Sequence, residues 1–223
     1  MAKLVHLVRH AEVHNPDHVV YASLPGFDLT DLGRTQAREM TRYLQSAPVT
    51  AIWSSPLQRA VSTASPLAEK LGLPIRIDDD LVEWKMADDW AGIRWEDLPT
   101  LRPGQLEAYL ATPLDLPFAS ESLTAMASRM RSAITAISER SDGDVVVVSH
   151  QDPVQAARLA LTGRDPERQH IDKPGHASVI TLRPGTPWRE VAAWHAPSAS
   201  PREATSAESE PEQLGIGLEG EIR

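Results

Sequence analysis

The run Asp144-Val-Val-Val-Val-Ser149 constrains this chain more than any other stretch. Four consecutive valines show no alternation of apolar and polar residues, and a β-strand covered on both faces reads that way. Further short apolar runs at Leu4–Val8, Val49–Trp53, Ile75–Ile77, Ser178–Leu182 and Glu190–Trp194 read as companion strands. Amphipathic segments lie between them. Thr30 or Asp31 can cap a helix through Arg34, Ala37, Met40 and Leu44 to about Gln45, and Ser55-Pro56 reads as the N-cap and first residue of a second helix ending near Gly72. From Ser122 to about Ser141, Leu123, Met126, Met130, Ile134 and Ile137 fall on one stripe. This alternation predicts an α/β fold: a three-layer α/β/α sandwich around a mostly parallel sheet. Residues 78 to about 120 break the pattern with Trp84, Trp90 and Trp95, and are expected to form a cap insertion over one end of the sheet.

Composition changes near Pro197. From there to Arg223 the chain holds six Glu against two Arg, is rich in Ser, Ala, Pro and Gly, and lacks aromatic residues. Such a segment cannot bury enough apolar surface to offset its ordering entropy, so 1–196 is expected to be one domain and 197–223 a disordered acidic tail. No stretch approaches the roughly 18 apolar residues that span a bilayer, and no leader-like pattern opens the sequence. A cytoplasmic protein with no membrane partner, monomeric or homodimeric, is the expectation. The formal charge of −9 argues against a nucleic-acid partner, which needs a basic face. With no cysteine, a disulfide framework, a thiolate metal site and a Cys nucleophile are all excluded.

In open α/β sheets, ligands bind at the carboxyl ends of the parallel strands. Three such places carry reactive residues: Arg9-His10 after the first strand, Arg59 in the helix after Val49–Trp53, and His150 after Val145–Ser149. Helix N-termini at Pro56 and Asp152-Pro153 add unpaired amides that favour an anion. Two imidazoles, two guanidinium forks and these amides, without a carboxylate cluster for a metal, suit a dianionic phosphoryl group. An Arg-His pair alone carries little, since strand ends often hold a salt-bridging Arg beside a hydrogen-bonded His.

Several short patterns occur together and in order: Leu7–Glu12 (LVRHAE), Leu29–Ala37 (LTDLGRTQA), Ser54–Ala64 (SSPLQRAVSTA), Asp80–Trp84 (DLVEW), Ser120–Ser122 (SES) and Val146–His150 (VVVSH). Taken together they resemble the histidine phosphatase superfamily, the phosphoglycerate-mutase-like proteins, over residues 4 to about 195. The resemblance implies a small phosphorylated metabolite as substrate and His10 as the nucleophile that becomes a phosphohistidine. It implies that Arg9, Arg59 and His150 surround the phosphoryl oxygens without a metal or other cofactor, and that Glu83 protonates the leaving alkoxide and then helps activate water. Asn15 would be a further phosphate ligand. The chain departs from the family pattern at Ala11 for Gly, Val13 for Thr, and Gln151-Asp152 for Gly-Gly.

Three other readings compete. His6, His10, His14 and His18 recur every fourth residue and on a helix would form a zinc-binding stripe, but the pattern around His6 is that of a strand and Pro16 opposes a helix. A non-catalytic phospholigand-binding member is opposed by retention of all five polar groups. A phosphoglycerate mutase is opposed by Leu81-Val82-Glu83-Trp84 where dedicated mutases carry Leu-Asn-Glu-Arg, so hydrolysis is the preferred activity.

Overall fold

The computed structural model describes residues 1–196; the tail expected beyond Pro197 lies outside them. Six strands form one sheet in the order β3-β2-β4-β1-β5-β6. They are β1 (Val5–Arg9), β2 (Val49–Ser54), β3 (Ile75–Ile77), β4 (Asp144–Ser149), β5 (Val179–Arg183) and β6 (Arg189–Trp194). The pairs β3/β2, β2/β4 and β4/β1 are parallel, while β5 and β6 add an antiparallel edge. The valine strand β4 lies between β2 and β1, and every one of its six residues is buried.

Side-chain alternation along β1 and β4 splits the core into two layers. Val5, Leu7, Val145 and Val147 belong to one cluster; Val8, Val146 and Val148 belong to the other. The first layer is completed by α5 (Leu123–Glu139) and α6 (Gln151–Thr162), through Met126, Met130, Ile134, Val154 and Leu161. The second is completed by α1 (Asp31–Leu44) and α2 (Gln58–Leu71), through Met40, Leu44, Ala64 and Leu67. The hydrophobic stripe read from Leu123 to Ile137 is therefore the buried face of α5.

Thr30 caps α1 by accepting from the Gly33 amide at 2.9 Å. Gly33 has a second reason to be glycine: a Cβ there would collide with the backbone carbonyl of Glu12, so α1 packs directly on the loop that follows β1. The start of α2 differs from the expectation of a Ser55 cap. Ser55 continues the sheet by donating its amide to the Val148 carbonyl at 2.9 Å, and the helix begins only at Gln58, with Leu57 at the N-cap.

Residues 78–120 leave the sheet and fold as 3-10 turns (Asp79–Leu81, Lys85–Trp90, Trp95–Asp97) and two short helices, α3 (Leu98–Leu101) and α4 (Gln105–Ala111). Trp84 and Trp90 are buried and, with Tyr109 and Phe118, form the aromatic packing of this region. These tryptophans are packing residues. No helix among the described residues is long and apolar enough to cross a membrane.

Candidate active site

Because β1, β4 and β2 are parallel neighbours, their carboxyl ends bring Arg9-His10, Ser149-His150 and Ser54-Ser55 side by side. Arg9 pairs with Ser149 in register, and the His10 amide donates to the Ser149 carbonyl at 2.9 Å. The rings of His10 and His150 meet at a centroid distance of 5.3 Å and an angle of 62°. Both are buried, at 1% and 0% exposure.

His10 Nδ1 lies 2.8 Å from the Ala11 carbonyl oxygen. A carbonyl only accepts, so Nδ1 carries the hydrogen and Nε2 keeps its lone pair. Burial, followed by the positive fields of Arg59, His150, Arg9 and His176, holds the His10 pKa well below that of a free imidazole. The ring is therefore neutral and nucleophilic at physiological pH. Its loop is fixed by Thr63, whose Oγ1 accepts the Ala11 amide at 2.9 Å and donates to the Arg59 carbonyl at 2.7 Å.

Arg59, in the first turn of α2, is 1% exposed. Its Nη2 donates to the Ala22 carbonyl, and its guanidinium lies 4.8 Å from the centre of the Tyr21 ring. Arg9 donates from Nη1 to the Pro174 carbonyl at 3.1 Å and from Nη2 to His176 Nε2 at 2.8 Å. Ala22 and Ala177, at φ of 37° and 51°, adopt the left-handed backbone that alanine disfavours. Both touch the site, through the Ala22 carbonyl on Arg59 and through the Ala177 amide on the His10 carbonyl at 3.2 Å. Strain of this kind persists where surrounding contacts over-determine the backbone.

His150 is the N-cap of α6. Its Nε2 lies 2.8 Å from Ser55 Oγ, and its Nδ1 faces Glu83 Oε2 at 3.9 Å. Ser55 Oγ already accepts the Leu57 amide at 3.3 Å, an arrangement that favours donation of its hydroxyl hydrogen to Nε2 and leaves the imidazole hydrogen on Nδ1, toward Glu83. Glu83 is shifted to a pKa of about 7, chiefly by burial and secondly by the Asp152 carboxylate; Arg59, the Trp84 amide and Arg9 oppose the shift. Asp152, one of the departures from the family pattern, is itself held ionised against burial by Lys173 at 2.7 Å and Tyr109 at 2.9 Å.

The five expected groups His10, Arg9, Arg59, Glu83 and His150 thus converge. Asn15 does not join them through any hydrogen bond in the structure. Its Nδ2 donates to the Val19 carbonyl at 2.9 Å and its Oδ1 accepts the Val19 amide at 3.1 Å, so both ends of the amide brace the loop after β1. The four-residue histidine period has no structural meaning: His6 lies in β1 against Thr181 at 3.0 Å and Asp144 at 3.5 Å. Among the described residues no group of three or more His, Asp or Glu side chains is placed to hold a metal ion.

Sequence reading missed Ser55, Thr63 and His176. The first two lie inside the SSPLQRAVSTA pattern, whose order was visible while its contacts were not. His176 carried no signal, because only the return of the chain into antiparallel β5 brings it to Arg9.

Residues 5–196 match the histidine phosphatase superfamily (branch 1). The uncharacterized protein Rv0525 of Mycobacterium tuberculosis is 38% identical, with 79% of this chain and 89% of that protein covered. Phosphoserine phosphatase 1 of Hydrogenobacter thermophilus is 32% identical, covering 74% of this chain and 78% of its own. Among solved structures, mycobacterial glucosyl-3-phosphoglycerate phosphatase in complex with VO3 superposes with a TM-score of 0.78 at 28% identity, covering 87% of this chain and 100% of that one. Motif order, sheet topology and these likenesses agree, and the chain belongs to the histidine phosphatase superfamily, branch 1.

Proposed function

We propose that this protein hydrolyses the phosphomonoester of a small metabolite through a phosphohistidine on His10, without a metal ion. One observation carries the reading. Around the nucleophilic His10, three N–H groups are buried without a hydrogen-bond partner: Nε of Arg9, Nε of Arg59 and Nδ1 of His150. Buried donors without acceptors are costly, and phosphoryl oxygens would satisfy them.

In the first step Nε2 of His10 attacks phosphorus, the bond from phosphorus to the ester oxygen breaks, and that oxygen takes the proton of Glu83. In the second, water attacks phosphorus and the phosphorus–nitrogen bond breaks. The water proton passes to the Glu83 carboxylate, and inorganic phosphate and neutral His10 are restored. A carboxyl with a pKa of about 7 can serve as acid and then as base near neutrality. Arg9, Arg59 and His150 stabilise the charge that moves onto the equatorial oxygens.

The test is incubation with an aryl phosphate and with phosphoserine and glucosyl-3-phosphoglycerate, the substrates named for two relatives, in the presence of a chelator. Phosphate release with an acid-labile phosphoryl-enzyme supports the reading. Absence of turnover on every ester, with no trapped phosphoryl group, overturns it in favour of a ligand-binding protein. Interconversion of 2- and 3-phosphoglycerate faster than phosphate release would make it a mutase.

A further inference from the structure

The segment that carries Glu83 has little regular structure to hold it. Val82, Glu83 and Trp84 run between two 3-10 turns, Asp79–Leu81 and Lys85–Trp90, and belong to no strand. An acid that must deliver a proton to one oxygen cannot be left on such a backbone unless something else fixes it.

Two residues outside the site do so. Arg129, on α5, donates from Nη1 to the Asp80 carbonyl at 2.6 Å and to the Val82 carbonyl at 3.3 Å, on the N-terminal side of Glu83. Glu121 accepts the Lys85 amide on Oε2 at 3.2 Å, and its carbonyl accepts Trp84 Nε1 at 2.7 Å, both on the C-terminal side. The two are joined by a bidentate pair, Nε to Oε1 and Nη2 to Oε2, each 2.8 Å. Their side chains are only 12% and 10% exposed, so this is a largely desolvated ion pair with defined geometry and not a solvated surface contact.

Neighbouring groups complete the frame. Ser149 Oγ, next to His150, donates to the Leu81 carbonyl at 2.7 Å, and Ser120 Oγ donates to the Lys85 carbonyl at 2.8 Å. Ser122 caps α5 by accepting the Ala125 amide at 3.1 Å, which sets the helix that presents Arg129. Every residue of the Ser120–Ser122 pattern thereby has a task. The hydrogen bonds of Ser120 and Glu121 go to the acid segment and to Arg129.

We propose that Arg129 and Glu121 are positioning residues that clamp the acid segment on both sides of Glu83 and set where its carboxyl meets the leaving-group oxygen. The proposal rests on Glu83 being the general acid. Glu83 is faced by Arg59 from α2, Arg9 from β1, His150 and Asp152 at the start of α6 and Tyr109 from α4, and none of these belongs to the clamp.

The experiment compares an alkyl phosphate, which needs a proton on departure, with an activated aryl phosphate, which does not. Arg129→Lys and Glu121→Gln should lower kcat on the alkyl ester by about 10- to 100-fold while costing the aryl ester no more than about three-fold. In a Glu83→Gln background, Arg129→Lys should give little further loss on the alkyl ester, because the clamp acts through a proton donor already removed. Added guanidinium should restore part of the alkyl-ester rate in Arg129→Ala. Equal losses on both esters, or an undiminished loss in the Glu83→Gln background, would overturn the proposal. If Glu83→Gln alone shows no leaving-group dependence, the failure belongs to the acid assignment. If Glu83→Gln shows it and the clamp variants do not, the failure belongs to the clamp. Should Arg129→Ala not fold, Arg129→Lys and Glu121→Gln decide.

Discussion

Glu83 Oε2 stands 3.9 Å from Nδ1 of His150, on the side of that ring opposite its contact with Ser55. The carboxyl faces the second histidine without a hydrogen bond between them, while Ser55, just beyond β2, holds the far end of that ring, so the protonation state of one group is felt by the other.

Replacing His10 with alanine should lower turnover by about four orders of magnitude or more, since the remaining charge stabilisation has no nucleophile to act on. Rapid acid quench with mass analysis should find no phosphorylated protein. A phosphorylated His10→Ala enzyme would move the nucleophile elsewhere.

The acid limb can be placed on the pH axis. The proposed mechanism requires Glu83 to be protonated in the first step, and its pKa of about 7 then predicts that kcat/KM on alkyl esters falls about ten-fold per pH unit above 7. Glu83→Gln should abolish that limb and slow alkyl esters far more than aryl esters. The same shift has a sign for stability. A carboxyl raised from its ordinary value near 4.3 binds more protons folded than unfolded between about pH 4.5 and 7, so its contribution is lost as pH rises through that window. Glu83→Gln should therefore raise Tm at pH 8, by about 2–4 °C for each kcal/mol gained. An unchanged or lower Tm would show that the carboxylate is solvated when ionised.

The histidines act in the opposite sense. His10, His150 and His176 are all held well below the ordinary imidazole value, chiefly by burial. The unfolded chain takes up their protons below about pH 6.5 while the folded chain does not, so stability falls as pH drops from there. Each contributes up to about 1.4 kcal/mol per pH unit. Denaturant titrations at pH 7 and pH 5.5 should show the loss, and His176→Asn should reduce it.

Ser55→Ala removes the partner of His150 Nε2 inside a site where Ser55 is wholly buried. Without it the imidazole can take the other tautomer and lose the Nδ1 hydrogen that the proposed mechanism directs at a phosphoryl oxygen. A fall in kcat of about ten-fold with a nearly unchanged fold is expected, read by turnover beside circular dichroism.

Gly33→Ala tests the fold alone. The added Cβ meets the Glu12 carbonyl, a backbone atom that cannot turn aside, so a loss of about 2–3 kcal/mol in unfolding free energy is expected. A neutral effect would mean that α1 can retreat from the loop after β1.

What the amino-acid order determined follows from short-range physics. Four adjacent valines require cover on both faces, and the stripe on α5 shows which side provides it; the strand ends then locate Arg9, His10 and His150. Tertiary structure decided everything that depends on which chain segments meet. Ser55 looked like a helix cap because its neighbour is proline, yet the sheet claimed its amide and His150 its hydroxyl. The resemblance pointed to Asn15 as a phosphate ligand, and the turn at Pro16 gives its side chain two hydrogen bonds to Val19 that the sequence did not show. His176 and the Glu121–Arg129 pair lie far from the residues they serve in sequence. Their roles arise from burial and hydrogen bonds between distant segments, which neither periodicity nor local propensity encodes.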